Sequence, residues 1–292
     1  MSLIRNMLKG RGDSVGYWFV LPSVLFLAVT ILFPMIYAFK LSLFKEETFV
    51  GFLHFAKALS SKVFVNDFIN TVHFTVWSVV FHLIIGMALA LLLNRAIKGR
   101  LYFRVLLLIP WMIAPVVTGI TWKWMLNNEY GVINDIFLRI GIIKDHIPWL
   151  ASMEWALPSI IAANVWSRYP FVMIMLLAGL QAIPDDLYEA ASVDGASAYH
   201  QFWLITLPQL KYVVILTCLL DAVWTFRLFD LTAVMTFGGP ARSSEVLSLL
   251  VYRVAFEDFD FNYSSAIAVL VFCVSFFFSI FYIKTLVKTT GE

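Results

Sequence analysis

Long apolar stretches separated by polar connections dominate the pattern of the chain. An apolar helix of about 20 residues is long enough to cross the roughly 30 Å of hydrocarbon in a bilayer. The apolar stretches lie at about 17–39, 69–93, 105–125, 156–180, 211–234 and 263–283. The pattern therefore predicts an all-α membrane protein with six transmembrane helices.

Basic residues predict the orientation of these spans. The leader, residues 1–16, carries three basic residues against one acid, and the short connection 94–104 carries four basic residues and no acid. Cytoplasmic connections of membrane proteins are enriched in Lys and Arg. We therefore expect a cytoplasmic basic leader at 1–16, a single membrane domain over 17–292, and both termini in the cytoplasm.

The polar stretch Ile183–Pro208 separates the fourth and fifth spans and reads as a helix, a turn and a second helix. Pro184 and the two acids after it suit the first turn of a helix. Gly195 suits the left-handed residue that commonly ends one, and Ser197 suits the cap of a second, short helix. Two interpretations remain open for this stretch, a docking element for a groove on a partner and an amphipathic helix on the membrane surface.

Charge does not place the 183–208 stretch on either side of the membrane. It contains four acids, and no Lys or Arg occurs before Lys211. Its cytoplasmic placement therefore rests on counting spans from the basic connection 94–104, and on the small weight of acids in the charge rule.

Composition agrees with a bilayer protein. Of the 292 residues, 61% are hydrophobic and 14% are charged, and the net charge of +2 gives no electrostatic case for binding nucleic acid. Cys218 and Cys273 lie in apolar runs and form no zinc or redox motif. The chain also lacks a GxxxxGK[ST] phosphate loop and a recognisable catalytic constellation, so we do not expect it to be an enzyme or to bind ATP itself.

Charged residues at membrane depth mark the candidate solute pathway. Each costs at least about 2.5 kcal/mol on insertion scales and therefore tends to face a cavity or a partner. Arg168 lies in the fourth predicted span, and Asp221, Trp224, Arg227 and Asp230 lie in the fifth. One interpretation is a polar cavity with aromatic walls, and the other is pairing that only fixes helix packing. The spacing allows Arg227 and Asp230 to pair on one helix, whereas Asp221 needs a partner elsewhere.

Two histidines, His73 and His82, lie in the second predicted span. They are nine residues apart, which does not place them on one face at metal-ligand spacing. A packing role is therefore expected for both, and no metal site is predicted.

Seven positions of the 183–208 stretch carry a specific resemblance. The stretch resembles the EAA loop of permease subunits in binding-protein-dependent ATP-binding-cassette importers, at Glu189, Ala190, Ala191, Gly195, Ile205, Leu207 and Pro208. The Gly238-Gly239-Pro240 turn and the Phe229-Asp230 pair are also similar to that family. The resemblance extends from about Tyr17 to the end of the chain, and it is closest in character to the maltose-type carbohydrate group.

The resemblance implies a type I importer fold and a role for each loop residue. Glu189 would make a charged contact with an ATPase subunit, Ala190 and Ala191 would allow close approach, and Gly195 would provide the bend. The expected partners are a second permease that is a different chain, two ATP-binding subunits that hold ATP and Mg, an extracytoplasmic solute-binding protein, and membrane lipid. The expected location is the cytoplasmic, or inner, membrane of a bacterium or archaeon.

The resemblance also implies a carbohydrate-like solute moved by alternating access. Two arginines at membrane depth would equally suit an anionic solute such as a glycerophosphate ester, so that alternative stays open. An ion-driven secondary transporter is an alternative from a different class, but it predicts internal repeats with broken helices at matching positions, and the sequence does not show them convincingly. An intramembrane enzyme or an assembly scaffold is a further alternative.

Overall fold

The computed structural model describes residues 19–95 and 98–290. The predicted basic leader at 1–16 and the first two residues of the first predicted span lie outside the described residues. In the first half of the chain the elements are α1 (Phe19–Ser42), β1 (Phe44–Lys45), β2 (Thr48–Phe49), α2 (Leu53–Ser60), α3 (Lys62–Asn94), α4 (Arg100–Met112), α5 (Pro115–Met125) and α6 (Val132–Arg139). The two strands pair antiparallel, with Phe44 opposite Phe49.

In the second half of the chain, as far as the structure describes it, the regular elements are all helices. Its elements are α7 (Ala156–Gln181), α8 (Asp185–Val193), α9 (Ala198–Phe226), α10 (Asp230–Met235), α11 (Leu247–Phe256) and α12 (Phe261–Thr290). Five helices within 19–95 and 98–290 are long and apolar enough to cross a membrane, and a bent pair makes a sixth. This confirms the predicted all-α membrane class, whereas the orientation of the termini stays a prediction.

The third predicted span, 105–125, is not one continuous helix but lies on two helices joined by a sharp bend. Helices α4 and α5 meet at an angle of 92°. Ile113 and Ala114 between them are extended, with ψ of 131° and 140°. Pro115 explains the break, because proline lacks an N–H for the helix ladder and drives the residue before it out of the helical region. The chain therefore turns sharply next to Trp111.

The fifth predicted span, 211–234, is shifted in the structure. Helix α9 begins at Ala198, passes through a π-helical segment at Phe202–Thr206 and ends at Phe226. The predicted second short helix of the 183–208 stretch is therefore the first part of the fifth span rather than a separate element. Three residues, 227–229, then interrupt the helix before α10 begins at Asp230.

The buried core lies where α3 runs along α7. A Cβ added to Gly86 on α3 would stand 2.9 Å from Val172 Cγ1 on α7. Such a distance is below ordinary van der Waals contact, so the glycine allows the two helices to approach closely. In the same way, a Cβ on Gly179 would stand 2.8 Å from Leu210 Cδ2, which joins α9 to this core.

The loop 236–246 is fixed against α3 by buried polar groups. The Asn70 amide donates to the backbone oxygens of Arg242 and Glu245, both at 3.1 Å. The Glu245 carboxylate is fully buried and pairs with Arg242 at 3.2 Å and Arg253 at 3.4 Å. Burial raises the pKa of Glu245, and the two arginines oppose that rise. The loop is therefore anchored to the helix bundle rather than free.

Candidate functional site

A hydrogen-bonded glycine turn ends helix α8. Gly195 has φ of +79°, in the left-handed region. Its N–H donates to the Ser192 oxygen at 3.1 Å, and the Ala196 N–H donates to the Ala191 oxygen at 2.9 Å. These two bonds form a Schellman motif, which satisfies carbonyls at the end of the helix. The predicted glycine-terminated helix is confirmed, and Pro184 lies at the N-cap position, one residue before the helix begins at Asp185, without a side-chain capping bond.

The turn leads directly into helix α9. The Ser197 hydroxyl accepts a hydrogen bond from the His200 N–H at 3.4 Å, which confirms the predicted cap. Two further contacts tie α8 to α9. The Tyr188 hydroxyl lies 3.0 Å from Thr206 Oγ1, and the Gln201 amide donates to Ser192 Oγ at 3.0 Å. We call the helix–glycine–helix unit 185–208 the elbow.

The elbow exposes apolar side chains that its own fold does not cover. Trp203 is 50% exposed and Leu204 is 72% exposed. Of the residues that carry the family resemblance, Glu189, Ala190, Gly195 and Pro208 are exposed, whereas Ala191, Ile205 and Leu207 are half-buried. Exposed apolar surface of this kind marks protein or membrane contact sites.

A groove separates the elbow from the ends of α3 and α7. Its volume is about 570 Å³, and Glu189 and Asp185 line it opposite Arg95 and Leu180. Glu189 forms no ion pair with any side chain that the structure describes. Its carboxylate is therefore free to contact a cation from outside the chain.

A second cavity lies at the broken end of α9. It has a volume of about 500 Å³ and is lined by Trp111, Arg168, Trp224, Arg227, Leu228, Phe229 and Asp230. Four of the five residues that the sequence suggests for a solute pathway thus line one cavity. The sequence reasoning did not include Trp111, which reaches this place because the bend after α4 turns the chain there. The available indication was the pair of prolines, Pro110 and Pro115, around it.

Two tryptophan rings and Arg168 line this cavity, and the Phe171 ring packs against both tryptophans. The Phe171 ring lies 4.9 Å from the Trp224 ring and 6.0 Å from the Trp111 ring, measured between centroids. The Arg168 guanidinium carbon lies 5.7 Å from the Trp224 ring centroid, within the range of a cation–π contact. The cavity therefore combines flat apolar faces with charged groups.

The interruption between α9 and α10 places Arg227 and Asp230 at the ends of two different helices. Arg227 ends the helix and donates from Nε to the Val223 oxygen at 3.3 Å, whereas Asp230 begins α10. The two side chains do not form an ion pair. Arg227 and Asp230 therefore do not pair on one helix as their spacing allows, because α9 ends at Phe226 and Asp230 belongs to α10. Both side chains are exposed toward the cavity.

Asp221 does not line the cavity. It is 1% exposed, and its Oδ2 lies 2.7 Å from Nδ1 of His82, which is 0% exposed. His82 Nε2 also faces the backbone oxygen of Asn164 at 3.3 Å. Asp221 thus has the partner that it needs, on α3. The packing role expected for His82 includes polar contacts, because its ring nitrogens join α3 to α7 and α9.

No group of three or more His, Cys, Asp or Glu side chains with metal-binding geometry occurs within the described ranges. The two sites are instead an exposed elbow at one end of the bundle and an aromatic, charged cavity within it. These features are those of the class of multi-pass helical membrane transport proteins.

Comparison with known proteins shows the family. The chain belongs to the binding-protein-dependent transport system inner membrane components, whose family model matches residues 58–288. It is 37% identical over 287 residues to the trehalose/maltose transport system permease of Thermococcus litoralis, covering 96% of each chain. It is 34% identical to the sulfoquinovosyl glycerol transport system permease of Agrobacterium fabrum, covering 90% of this chain and 87% of the relative.

A solved structure shows the same fold. The chain superposes with a TM-score of 0.82, at 24% identity, on a chain of a bacterial alginate ABC transporter in complex with its alginate pentasaccharide-bound periplasmic protein. The match covers 93% of each chain. This confirms the type I importer permease fold. The protein is therefore a multi-pass permease component of an inner membrane transport system.

Proposed function

We propose that this chain is the permease subunit that carries a carbohydrate through the membrane in an ATP-binding-cassette importer. The observation that carries the proposal is the cavity of Trp111, Trp224, Phe229, Arg168 and Asp230. Sugars bind proteins through stacking of their apolar faces on aromatic rings and through hydrogen bonds to charged side chains. A cavity of about 500 Å³ is within the range of small-molecule sites. The transport of trehalose or maltose by the 37% identical relative gives independent support.

The elbow transmits the motion of a separate ATPase. Glu189 offers an unpaired carboxylate, Ala190 and Ala191 allow close approach, and the exposed Trp203 and Leu204 supply apolar contact area. The Schellman turn at Gly195 and the contacts between α8 and α9 make the elbow one rigid unit. Since α9 continues from the elbow to the edge of the cavity, a force on the elbow reaches Trp224 along one helix.

The working importer contains further subunits. A single chain supplies one elbow and half of a pathway. The importer is therefore completed by a second permease, two ATP-binding subunits that hold ATP and Mg, and an extracytoplasmic solute-binding protein. The family's dependence on a binding protein supports the last of these. The exposed apolar surface of α1, which includes Phe19 and Phe26, faces lipid or the second permease.

Reconstituted transport tests the proposal. The importer would be assembled in vesicles with its partner subunits, and uptake of labelled trehalose and maltose would be measured with and without ATP. We expect ATP-dependent uptake that Trp224→Ala reduces about tenfold or more, because the cavity loses its stacking face. Trp77→Ala is the control, since Trp77 is also in a span but lies outside this cavity.

Two results would contradict the proposal. Uptake that survives ATP depletion and follows an ion gradient would favour a secondary transporter. Uptake that the Trp224 and Trp77 variants reduce equally would show that the cavity is not the solute pathway.

A further inference from the structure

Arg168 has no partner of opposite charge in the part of the chain that the structure describes. It makes no ion pair and no hydrogen bond there, and it only rests over the Trp224 ring. A guanidinium carries five N–H donors, which need acceptors when they leave water. The donors of Arg168 are therefore available to a molecule in the cavity.

The carboxylate that acts on Arg168 from within the helix bundle is Asp221. Its effect is electrostatic and comes from the neighbouring helix α9. Asp221 is, however, already held by His82 at 2.7 Å. Whether Asp221 neutralises Arg168 therefore depends on the charge of the His82–Asp221 pair.

The contacts of the two His82 ring nitrogens indicate the charge of that pair, because the proton positions follow from the atoms that they face. Both ring nitrogens face oxygens, Nδ1 facing Asp221 Oδ2 and Nε2 facing the Asn164 carbonyl oxygen. A carbonyl oxygen only accepts, so Nε2 carries a hydrogen. The Nδ1–Oδ2 contact then needs one further proton, held either by the imidazole or by the carboxyl group. In both arrangements the pair has no net charge, and the charge of Arg168 remains uncompensated.

The cavity itself has a positive balance. Two arginines and one aspartate line it, which leaves one net positive charge on its described wall. The remaining lining is apolar or aromatic, and the wall formed by Trp111 and Trp224 suits a sugar ring. A small inorganic anion would leave that wall unused, whereas a neutral sugar would leave the charge of Arg168 unpaired.

We propose that the cavity prefers a carbohydrate that carries an anionic group, such as a uronate, and that Arg168 binds this group. The inference rests on the proposed function and names the solute class of the same cavity. Planar carboxylates match the fork of a guanidinium, which donates two parallel hydrogen bonds. The His82–Asp221 pair acts as a positioning element, because it withholds the Asp221 charge from Arg168.

Direct binding to the assembled permease and ATPase complex, without the binding protein, tests this inference. Two probes differ in one group: trehalose, and the trehalose derivative in which one CH₂OH is oxidised to a carboxylate. Isothermal titration would give the Kd of each. We expect the uronate to bind about tenfold more tightly or better, the size of a charge-assisted hydrogen bond. In Arg168→Gln the ratio of the trehalose Kd to the uronate Kd should fall to about one. In Arg168→Lys part of the preference for the uronate should remain.

Variants of the buried His82–Asp221 pair test whether the pair controls the charge that Arg168 experiences or only packs the helices. In His82→Gln, the imidazole that shares a proton with Asp221 is removed, so the negative charge on Asp221 acts on Arg168 without an opposing imidazolium and the preference for the uronate should fall. In Asp221→Asn, no negative charge replaces the pair, so the preference should persist. A merely structural role predicts that both variants change the two Kd values in parallel, and that result would overturn the inference about the pair.

The remaining outcomes distinguish the inference from the proposed function. Equal binding of both probes, weakened by Trp224→Ala, would reject the anionic preference and leave carbohydrate transport in place. Binding of neither probe would reject the proposed function together with this inference. A uronate preference that persists in Arg168→Gln would show that another group binds the anion.

Discussion

Gly195→Val is the sharpest test of the elbow. Gly195 has φ of +79°, and a Cβ at this position would meet no atom within 4 Å. The substitution therefore introduces backbone strain without a steric clash. An L-residue in the left-handed region costs about 1–2 kcal/mol. A cost of this size lowers the ratio of formed to unformed turn by a factor of about 5–30.

The assay measures coupling rather than folding alone. The importer would be reconstituted in vesicles, and solute uptake and ATP hydrolysis would be measured in the same sample. We expect the Val variant to assemble in the membrane and its uptake per ATP hydrolysed to fall, by at most about 5–30-fold, because the strain lowers the ratio of formed to unformed turn by that factor. Asn tolerates the left-handed conformation, so Gly195→Asn should keep most of the coupling.

Gly141 provides a matched control. It has φ of +75°, and a Cβ there would also meet nothing within 4 Å, but it follows α6, outside the elbow. Gly141→Val therefore introduces the same strain elsewhere and should leave uptake per ATP unchanged. Equal coupling in the two Val variants, or equal losses for Val and Asn at 195, would refute the reasoning.

Three further substitutions test the elbow contact, the helix core and the buried loop anchor. Glu189→Gln should reduce co-purification of the ATPase subunit about tenfold, the effect of one hydrogen bond to a charged group, whereas Asp186→Asn should not. Gly86→Ala should cost about 1–3 kcal/mol by overpacking α3 against α7, seen as a lower melting temperature of the purified complex. Glu245→Ala should cost about 1–3 kcal/mol in the same measurement, because Arg242 and Arg253 lose the buried carboxylate that they share and keep only Asp67 at 3.8 Å and Glu257 at 3.5 Å. Glu257→Ala, at an exposed ion pair, should cost under about 1 kcal/mol, so equal effects of the two Ala variants would contradict the buried anchor.

Local sequence rules succeeded where a backbone constraint has one solution. The turn after α8 needs a left-handed residue, and glycine adopts that conformation at least cost, so Gly195 could be placed from the sequence. Ser197 could be placed as a cap for a similar reason, since its hydroxyl satisfies an N–H at the start of the next helix. These predictions depend on a few neighbouring residues and on no distant contact.

Predictions about the ends of the spans were less accurate. Hydropathy measures how apolar a segment is and does not register a break inside it. The hydropathy pattern therefore did not predict the 92° turn between α4 and α5. It also predicted a fifth span that continues past the interruption at 227–229. Pro115 gave a local indication of the first break, whereas no proline or glycine within 227–229 marks the second.

The sequence by itself determined the membrane class, the number of apolar spans and the elbow with its glycine turn, because length, hydropathy and local backbone preference are properties of short segments. Only the tertiary structure decided the roles of the charged residues at membrane depth. It brought Arg168, Trp224, Arg227 and Asp230 together around one cavity with Trp111, and it joined Asp221 to His82, 139 residues away. Such partners are set by helix packing, which no local pattern encodes.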